Sequence, residues 1–302
     1  MLVVARVTSV PCVAGSGEPG HRFSAVITWP DRLWRVIRIG ARVPDFDTSV
    51  PHIARVYDYW LGGKDNFAAD RELGERTLQA YPNLVFSVRA NRAFLARTVR
   101  FLAAEAGIRQ FLDIGTGIPA NDNTHQVAQG VAPGARIVYV DNDPIVLSHA
   151  RALLTSNAEG ACAYIDADLR EPDKILARAA DTLDFSQPVA VMLVAVMHFI
   201  SDDSEAGEIV SRLIDACAPG SFVTISHAAS DIDAEQQTEM VRRLNESVAE
   251  KATLRDRTRV SRLFAGLELV EPGVVRVAEW RPDSQLEAAS PTGLWGGVAR
   301  KP

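Results

Sequence analysis

The run Phe111-Leu112-Asp113-Ile114-Gly115-Thr116-Gly117 sets an acidic residue and two glycines at the end of an apolar stretch. Such a composition suits a polar ligand held against bare backbone, because glycine has no Cβ to block the approach and reaches positive φ at little cost. Asn121, Asn123 and Thr124 follow as candidate helix caps, and the N–H groups of a helix start would face a carboxylate or phosphate. Asp141 ends the next apolar run, where a carboxylate accepts hydrogen bonds from a pair of ribose hydroxyls. Two ligands fit this pattern. Read as G-x-G-x-x-A, Gly115, Gly117 and Ala120 satisfy the dinucleotide fingerprint, with Asp141 lying 21 residues beyond Ala120. Read as D-x-G-x-G, Asp113 belongs to the cradle itself, which the dinucleotide pattern does not require.

Other residues offer weaker signals. His198 follows the apolar run Val189–Met197, at the carboxyl end of a predicted strand; both a structural histidine and a site residue fit that position, and His227 shares the claim more weakly. Asp202, Asp203 and Glu205 read as the acidic start of a helix, which the helix dipole favours, rather than as metal ligands. His21, His52, His125 and His149 show no metal-ligand spacing, and Cys12, Cys162 and Cys217 stand alone, so no metal site and no disulfide framework is expected.

The elements that must position these residues fall into three blocks. Residues 1–44 carry six arginines against two acids, with no sustained period and early Gly and Pro; a poorly ordered extension is expected there rather than a domain. From Ser49 the spacing turns helical. Ile53, Val56, Tyr57, Trp60 and Leu61 form one stripe stopped by Gly62-Gly63, a second helix is expected from Asp65 as its N-cap, and a third lies within Ser87–Ala106. Residues 45–107 thus form a helical cover. After Gly107 short apolar runs alternate with helical stretches, the signature of βαβ units and a parallel sheet. Expected strands are Gln110–Ile114, Arg136–Val140, Ala161–Ile165, Val189–Val196, Ser221–Ser226, Leu267–Val277 and Leu294–Ala299. Expected helices are Asn123–Gly130, Pro144–Thr155, Asp173–Ala180, Glu205–Cys217, Glu235–Glu250 and Thr258–Ala265.

Composition narrows the function. Of 302 residues 47% are hydrophobic and 23% charged, and the formal charge of −6 leaves no cation excess to neutralise a phosphate backbone, so nucleic acid is not the expected partner. The longest apolar run is far below the ~20 residues of a membrane span. A cytoplasmic protein without membrane partner is expected.

The blocks Arg55-Val56-Tyr57-Asp58-Tyr59-Trp60-Leu61-Gly62-Gly63-Lys64-Asp65-Asn66-Phe67, Arg89-Ala90-Asn91-Arg92, Asp113–Gly117, Asp141-Asn142-Asp143-Pro144, Ala167-Asp168-Leu169-Arg170 and Pro219-Gly220-Ser221 resemble an actinobacterial family of S-adenosylmethionine-dependent methyltransferases. The match runs from about Asp47 to the C-terminus. It implies an α/β, class I Rossmann-like fold of seven strands, the last antiparallel, in residues 108–302, with residues 45–302 as one folding unit. It further implies that Asp113, Gly115, Thr116 and Gly117 line the methionine end of the cofactor, Asp141 and Asn142 the ribose, and Asp168 and Leu169 the adenine. Ala195, Val196 and His198 would border the cofactor on the acceptor side, and Gly62 and Arg92 join the candidate cofactor contacts. Pro119 stands where many class I members have a third glycine. Methyl transfer is an in-line displacement served mainly by positioning and water exclusion. If the acceptor must lose a proton, His198 is the first candidate base, with Tyr57, Asp58 or Tyr59 behind it. The expected activity is methyl transfer to a small-molecule acceptor. Its alternatives are an NAD(P)-dependent oxidoreductase and an S-adenosylmethionine-binding protein without turnover.

Overall fold

Five parallel strands carry the fold: β1 (Gln110–Ile114) and β5 (Phe222–Ala228) are buried at every position and show no alternation of apolar with exposed residues, their polar members Gln110, Asp113, Thr224, Ser226 and His227 being buried as well. The computed structural model describes residues 47–120, 122–146 and 159–302. The expected extension 1–44, Asn121, Cys12, His21, His149 and most of the helix expected over Pro144–Thr155 lie outside them. Phe46–Pro302 forms one compact unit.

The strand order is β3-β2-β1-β4-β5-β8-β6, where β2 is Arg136–Asp141, β3 Ala161–Asp166, β4 Ala190–Val194, β6 Glu268–Leu269 and β8 Leu294–Arg300. β1 pairs in parallel with β2 on one side and β4 on the other. β5 runs parallel to β4, and β8 antiparallel to β5 with Phe222 opposite Arg300. The single strand expected over Leu267–Val277 is two short pieces, β6 and β7 (Val275–Arg276), which pair with opposite ends of β8. The turn between them, at Gly273 with φ 85°, interrupts the ladder, so seven lanes of sheet hold eight strands.

Helices cover both faces. α3 (Leu84–Ala104) and α4 (Thr124–Val131) bury Phe94, Leu102 and Ala128 against Phe111, Ile137 and Trp280. On the opposite face α5 (Pro172–Ala179) and α6 (Asp203–Asp215) bury Ile175, Ile209 and Leu213 against Leu112, Val138 and Val191. α1 (Ile53–Leu61) and α2 (Ala68–Ala80) join α3 and α7 (Ala234–Ser247) in a third core of Val56, Trp60, Leu73, Leu84, Val88, Met240 and Leu244. The cover therefore includes α7, from the far end of the chain.

Local signals fixed most helix ends. Gly62 closes α1 at φ 82°, and Asn123 with Gln126 forms a capping box on α4. Asp202 caps α6 by accepting the Glu205 N–H at 2.8 Å, as its acidic start implies. Asp65 does not cap α2. That helix begins three residues later, where Asp70 accepts the Phe67 N–H at 2.8 Å, while the Asp65 N–H is held by Asp58.

Candidate active site

Because β1 lies between β2 and β4, the chain reverses its winding beside β1, and the carboxyl ends of these strands open a crevice of the kind that binds ligands in α/β proteins. A cavity occupies this crevice and continues beneath α1, α3 and α7. At its floor Gly115 and Gly117 have φ of 73° and 67°. A Cβ on Gly115 would lie 2.4 Å from Val196 Cγ2, so glycine is required there by backbone and by packing alike. Asp141 ties the loop to β2: one carboxylate oxygen accepts the Gly117 N–H at 2.8 Å and the other the Asp143 N–H at 2.9 Å.

Asp113 is 5% exposed. Burial pushes its carboxyl up to about 6, against the pull of the Thr124 hydroxyl, which donates to it at 2.6 Å, and of the nearby Arg92. Burial also raises Asp141 above the usual carboxylate range, its two backbone donors partly compensating. Asp168 accepts the Arg170 N–H at 2.8 Å and the Asn142 amide at 3.3 Å, and Arg170 continues to the Phe199 carbonyl at 2.8 Å. Arg92 reaches the Asp122 carbonyl at 3.3 Å. Asp113, Gly115, Thr116, Gly117, Asp141, Asn142, Asp168, Leu169, Ala195, Val196, His198, Arg92 and Tyr57 all line this one cavity.

Three sequence candidates do not. Asp58 turns away from the cavity to accept from the Asp65 N–H at 2.9 Å and the Asn66 amide at 2.8 Å, and a Cβ on Gly63 would collide with it. Tyr59 packs against Gly74 of α2 and hydrogen-bonds Glu75. Gly62 is the C-cap of α1, its N–H given to the Tyr59 carbonyl. On a helix the residues beside Tyr57 point to other faces, which is why one of the three candidates on α1 reaches the site. Arg89 is exposed.

Tyr57 is held by a buried relay that the sequence did not announce. The Ala195 N–H donates to Ser226 Oγ at 2.9 Å, Ser226 Oγ to Asn91 Oδ1 at 2.6 Å, and Asn91 Nδ2 to the Tyr57 hydroxyl at 3.0 Å. The relay binds cover to sheet and steadies Ala195, whose φ of 58° is costly for a residue with a Cβ. The signal available was a polar Asn91 on the apolar stripe of Val88, Phe94 and Leu95.

His198 sits in a 3₁₀ turn, Met197–Phe199, with its Nδ1 buried and without a hydrogen-bond partner. Burial, aided by the positive Arg255, lowers its pKa to about 4. Arg255 is fully buried behind the turn, donating to the Met197 carbonyl at 3.2 Å, the Ile200 carbonyl and His227 Nε2 at 2.8 Å each, and pairing with Asp203 at 2.8 Å. His227 is fully buried in this hub and does not line the cavity. His52, with no metal spacing in sequence, lines the cavity as the N-cap of α1 and pairs with Asp143 at 2.9 Å, which raises its pKa despite burial. The proton of that contact belongs on Nδ1, so the 3.3 Å approach of the Ala54 N–H to the same atom is secondary.

The crevice, its glycine loop and the acids at successive strand ends define a class I Rossmann-like enzyme of adenosine-type cofactors. The chain matches the S-adenosyl methyltransferase family over residues 40–302, and it belongs to that family. It is similar to the crystal structure of a DUF574 family protein from Streptomyces avermitilis, with 43% identity and a TM-score of 0.82 over 86% of this chain and 100% of that one. It is also similar to a candidate methyltransferase from Thermobifida fusca, with 45% identity and a TM-score of 0.79 over 85% of this chain and 97% of that one. No curated protein matches the chain. The protein is thus an S-adenosylmethionine-dependent methyltransferase, and the nicotinamide alternative falls. No helix among the described residues is long and apolar enough to cross a membrane.

Proposed function

We propose that this enzyme methylates a small molecule in the cytoplasm, with the cofactor on the Asp113–Gly117 loop and the acceptor in the chamber beneath α1, α3 and α7. The observation that carries this reading is the continuity of one cavity from the glycine loop to that roofed chamber, whose apolar wall includes Trp60, Leu84, Val88, Met240 and Leu244. A roof of packed helices suits a small acceptor better than a folded macromolecule, and the net charge of −6 disfavours nucleic acid.

The residues present fit S-adenosylmethionine. Gly117 has nothing within 4 Å of where a Cβ would stand, so the backbone is bare there, while Gly115 gives its place to Val196. Each Asp141 oxygen spends one lone pair on a backbone N–H, which leaves one apiece for a ribose hydroxyl, with Asn142 beside it. Asp168 and Leu169 would meet the adenine, the first through a lone pair not taken by Asn142 or Arg170. Asp113 and Arg92 suit the amino and carboxylate ends of the methionine moiety. When bound, the cofactor supplies an electrophilic methyl group on a sulfonium. The protein's part is to hold the acceptor in line and exclude water. His198 is neutral above about pH 5 because its pKa lies near 4; it accepts an acceptor N–H or O–H, and burial makes it a poor store for the proton. Tyr57, its hydroxyl fixed by Asn91 and its pKa raised by burial, serves as a hydrogen-bonding wall rather than a base.

Incubation of the enzyme with methyl-labelled S-adenosylmethionine and a cell extract tests the reading. Label is expected in the low-molecular-weight fraction; label in protein or nucleic acid would overturn it.

A further inference from the structure

The acceptor chamber has an asymmetry of charge. Glu250 lines it, and its Oε2 is buried without a hydrogen-bond partner. A buried carboxylate oxygen left unpaired is costly, and a ligand donor would recover that cost. The Asn245 side chain donates to the Ala252 carbonyl at 2.9 Å and accepts the Ala252 N–H at 2.7 Å, and the Thr253 N–H donates to the His198 carbonyl at 2.7 Å. The segment bearing Glu250 is thereby fastened to the His198 turn, and His198 Nδ1 is likewise buried without a partner.

Across the whole cavity four carboxylates, Asp113, Asp141, Asp168 and Glu250, face two guanidiniums, Arg92 and Arg170. Arg92 projects from α3 toward the Asp122 carbonyl, and Arg170, beyond β3, is already bound to Asp168 and the Phe199 carbonyl. His52 is near enough to feel Glu250 but is engaged by Asp143. S-adenosylmethionine brings one net positive charge, so the occupied cavity still carries an excess of negative charge, and Glu250 is the carboxylate that lies apart from the three acids of the cofactor loops. This arrangement attracts a cation and repels an anion.

We propose that the acceptor is an amine with an apolar body, held by Glu250, whose carboxylate takes the ammonium proton so that the freed nitrogen lone pair accepts the methyl group as the sulfonium becomes S-adenosylhomocysteine, and that carboxylate-bearing acceptors are excluded. The proposal rests on the chamber being the acceptor site, as argued above. Binding is measured by calorimetry on the full chain saturated with S-adenosylhomocysteine, using 2-phenylethylamine, tryptamine, 2-phenylethanol and 3-phenylpropionate as probes. The amines are expected to bind, the alcohol more weakly and the carboxylate not at all. Glu250→Gln should weaken the amines by about tenfold or more, the factor a single charged hydrogen bond carries, and leave S-adenosylhomocysteine binding unchanged. Amines that bind no better than the carboxylate, amines that do not bind at all, or an unchanged amine affinity in a folded Glu250→Gln variant would each overturn the proposal. The wild-type panel decides the question even if the variant does not fold. Failure of S-adenosylhomocysteine to bind would instead strike the cofactor assignment beneath it.

Discussion

Truncating Asp141 separates what its carboxylate does for the loop from what it does for a ligand. The side chain is 8% exposed and gives one oxygen to the Gly117 N–H at 2.8 Å and the other to the Asp143 N–H at 2.9 Å. Two hydrogen bonds to a charged acceptor are worth about 1.5–3 kcal/mol each. The protein recovers part of that loss on truncation, because burial makes this carboxylate's charge unfavourable, as its raised pKa records. A stability loss of about 2 kcal/mol is therefore expected for Asp141→Ala in urea unfolding without ligand. The ribose diol would use the second lone pair of each oxygen. Loss of that pair, discounted for water replacing it, should cost about 3 kcal/mol of affinity for S-adenosylhomocysteine, roughly two orders of magnitude in Kd by calorimetry. Asp141→Asn keeps one acceptor oxygen and should fall between. A folded Asp141→Ala protein whose affinity stays within about threefold of wild type, under 1 kcal/mol, would refute the placement of the ribose at this carboxylate.

Asp113→Asn should stabilise the protein while weakening cofactor binding. The folded pKa of about 6 lies above the ordinary 3.8, so the folded state holds its proton longer and stability falls as pH rises from about 4 to about 6. The variant removes that slope and keeps an acceptor for Thr124; unfolding at pH 7 should show a gain of about 3 kcal/mol, and a loss would contradict the burial argument. Gly115→Ala meets Val196 at 2.4 Å as well as its φ of 73°, whereas Gly117→Ala meets nothing within 4 Å. The first should therefore lose about 1–3 kcal/mol more than the second in urea unfolding, and Val196→Ala should restore that difference. Arg255→Met strands the carbonyls of Met197 and Ile200 and the His227 ring, and should cost about 3–5 kcal/mol with a large fall in Tm. Arg255→Lys should not rescue it, since one ammonium cannot reach partners spread over a guanidinium fork.

The fold was legible wherever a periodicity was unbroken. Apolar runs marked β1 to β5, and Ile53–Leu61 marked α1. Leu267–Val277 was misread as one strand because hydrophobicity does not reveal the turn that splits it into β6 and β7, and α2 was started at Asp65 because two acids five residues apart, Asp65 and Asp70, compete for the same cap. At the site, residues fixed by the backbone were readable: glycines at positive φ and acids at strand ends follow from chain direction alone. Side chains whose role depends on which helix face meets the cavity were not. Tyr57, Asp58 and Tyr59 are adjacent in sequence, and one reaches the cavity.

The sequence by itself determined the βαβ units of a parallel sheet, the glycine loop and the acids Asp113 and Asp141 at strand ends, because local spacing and strand direction are written residue by residue; the class I topology and the place of Asp168 were implied by the family resemblance. Tertiary structure alone decided the rest. It set Asn91 between Ser226 and Tyr57, residues 135 and 34 positions away along the chain, and put Arg255 behind His198. It also brought α7 and Glu250 across to the chamber. Contacts of that separation are chosen by packing, which brings together residues that no local pattern relates.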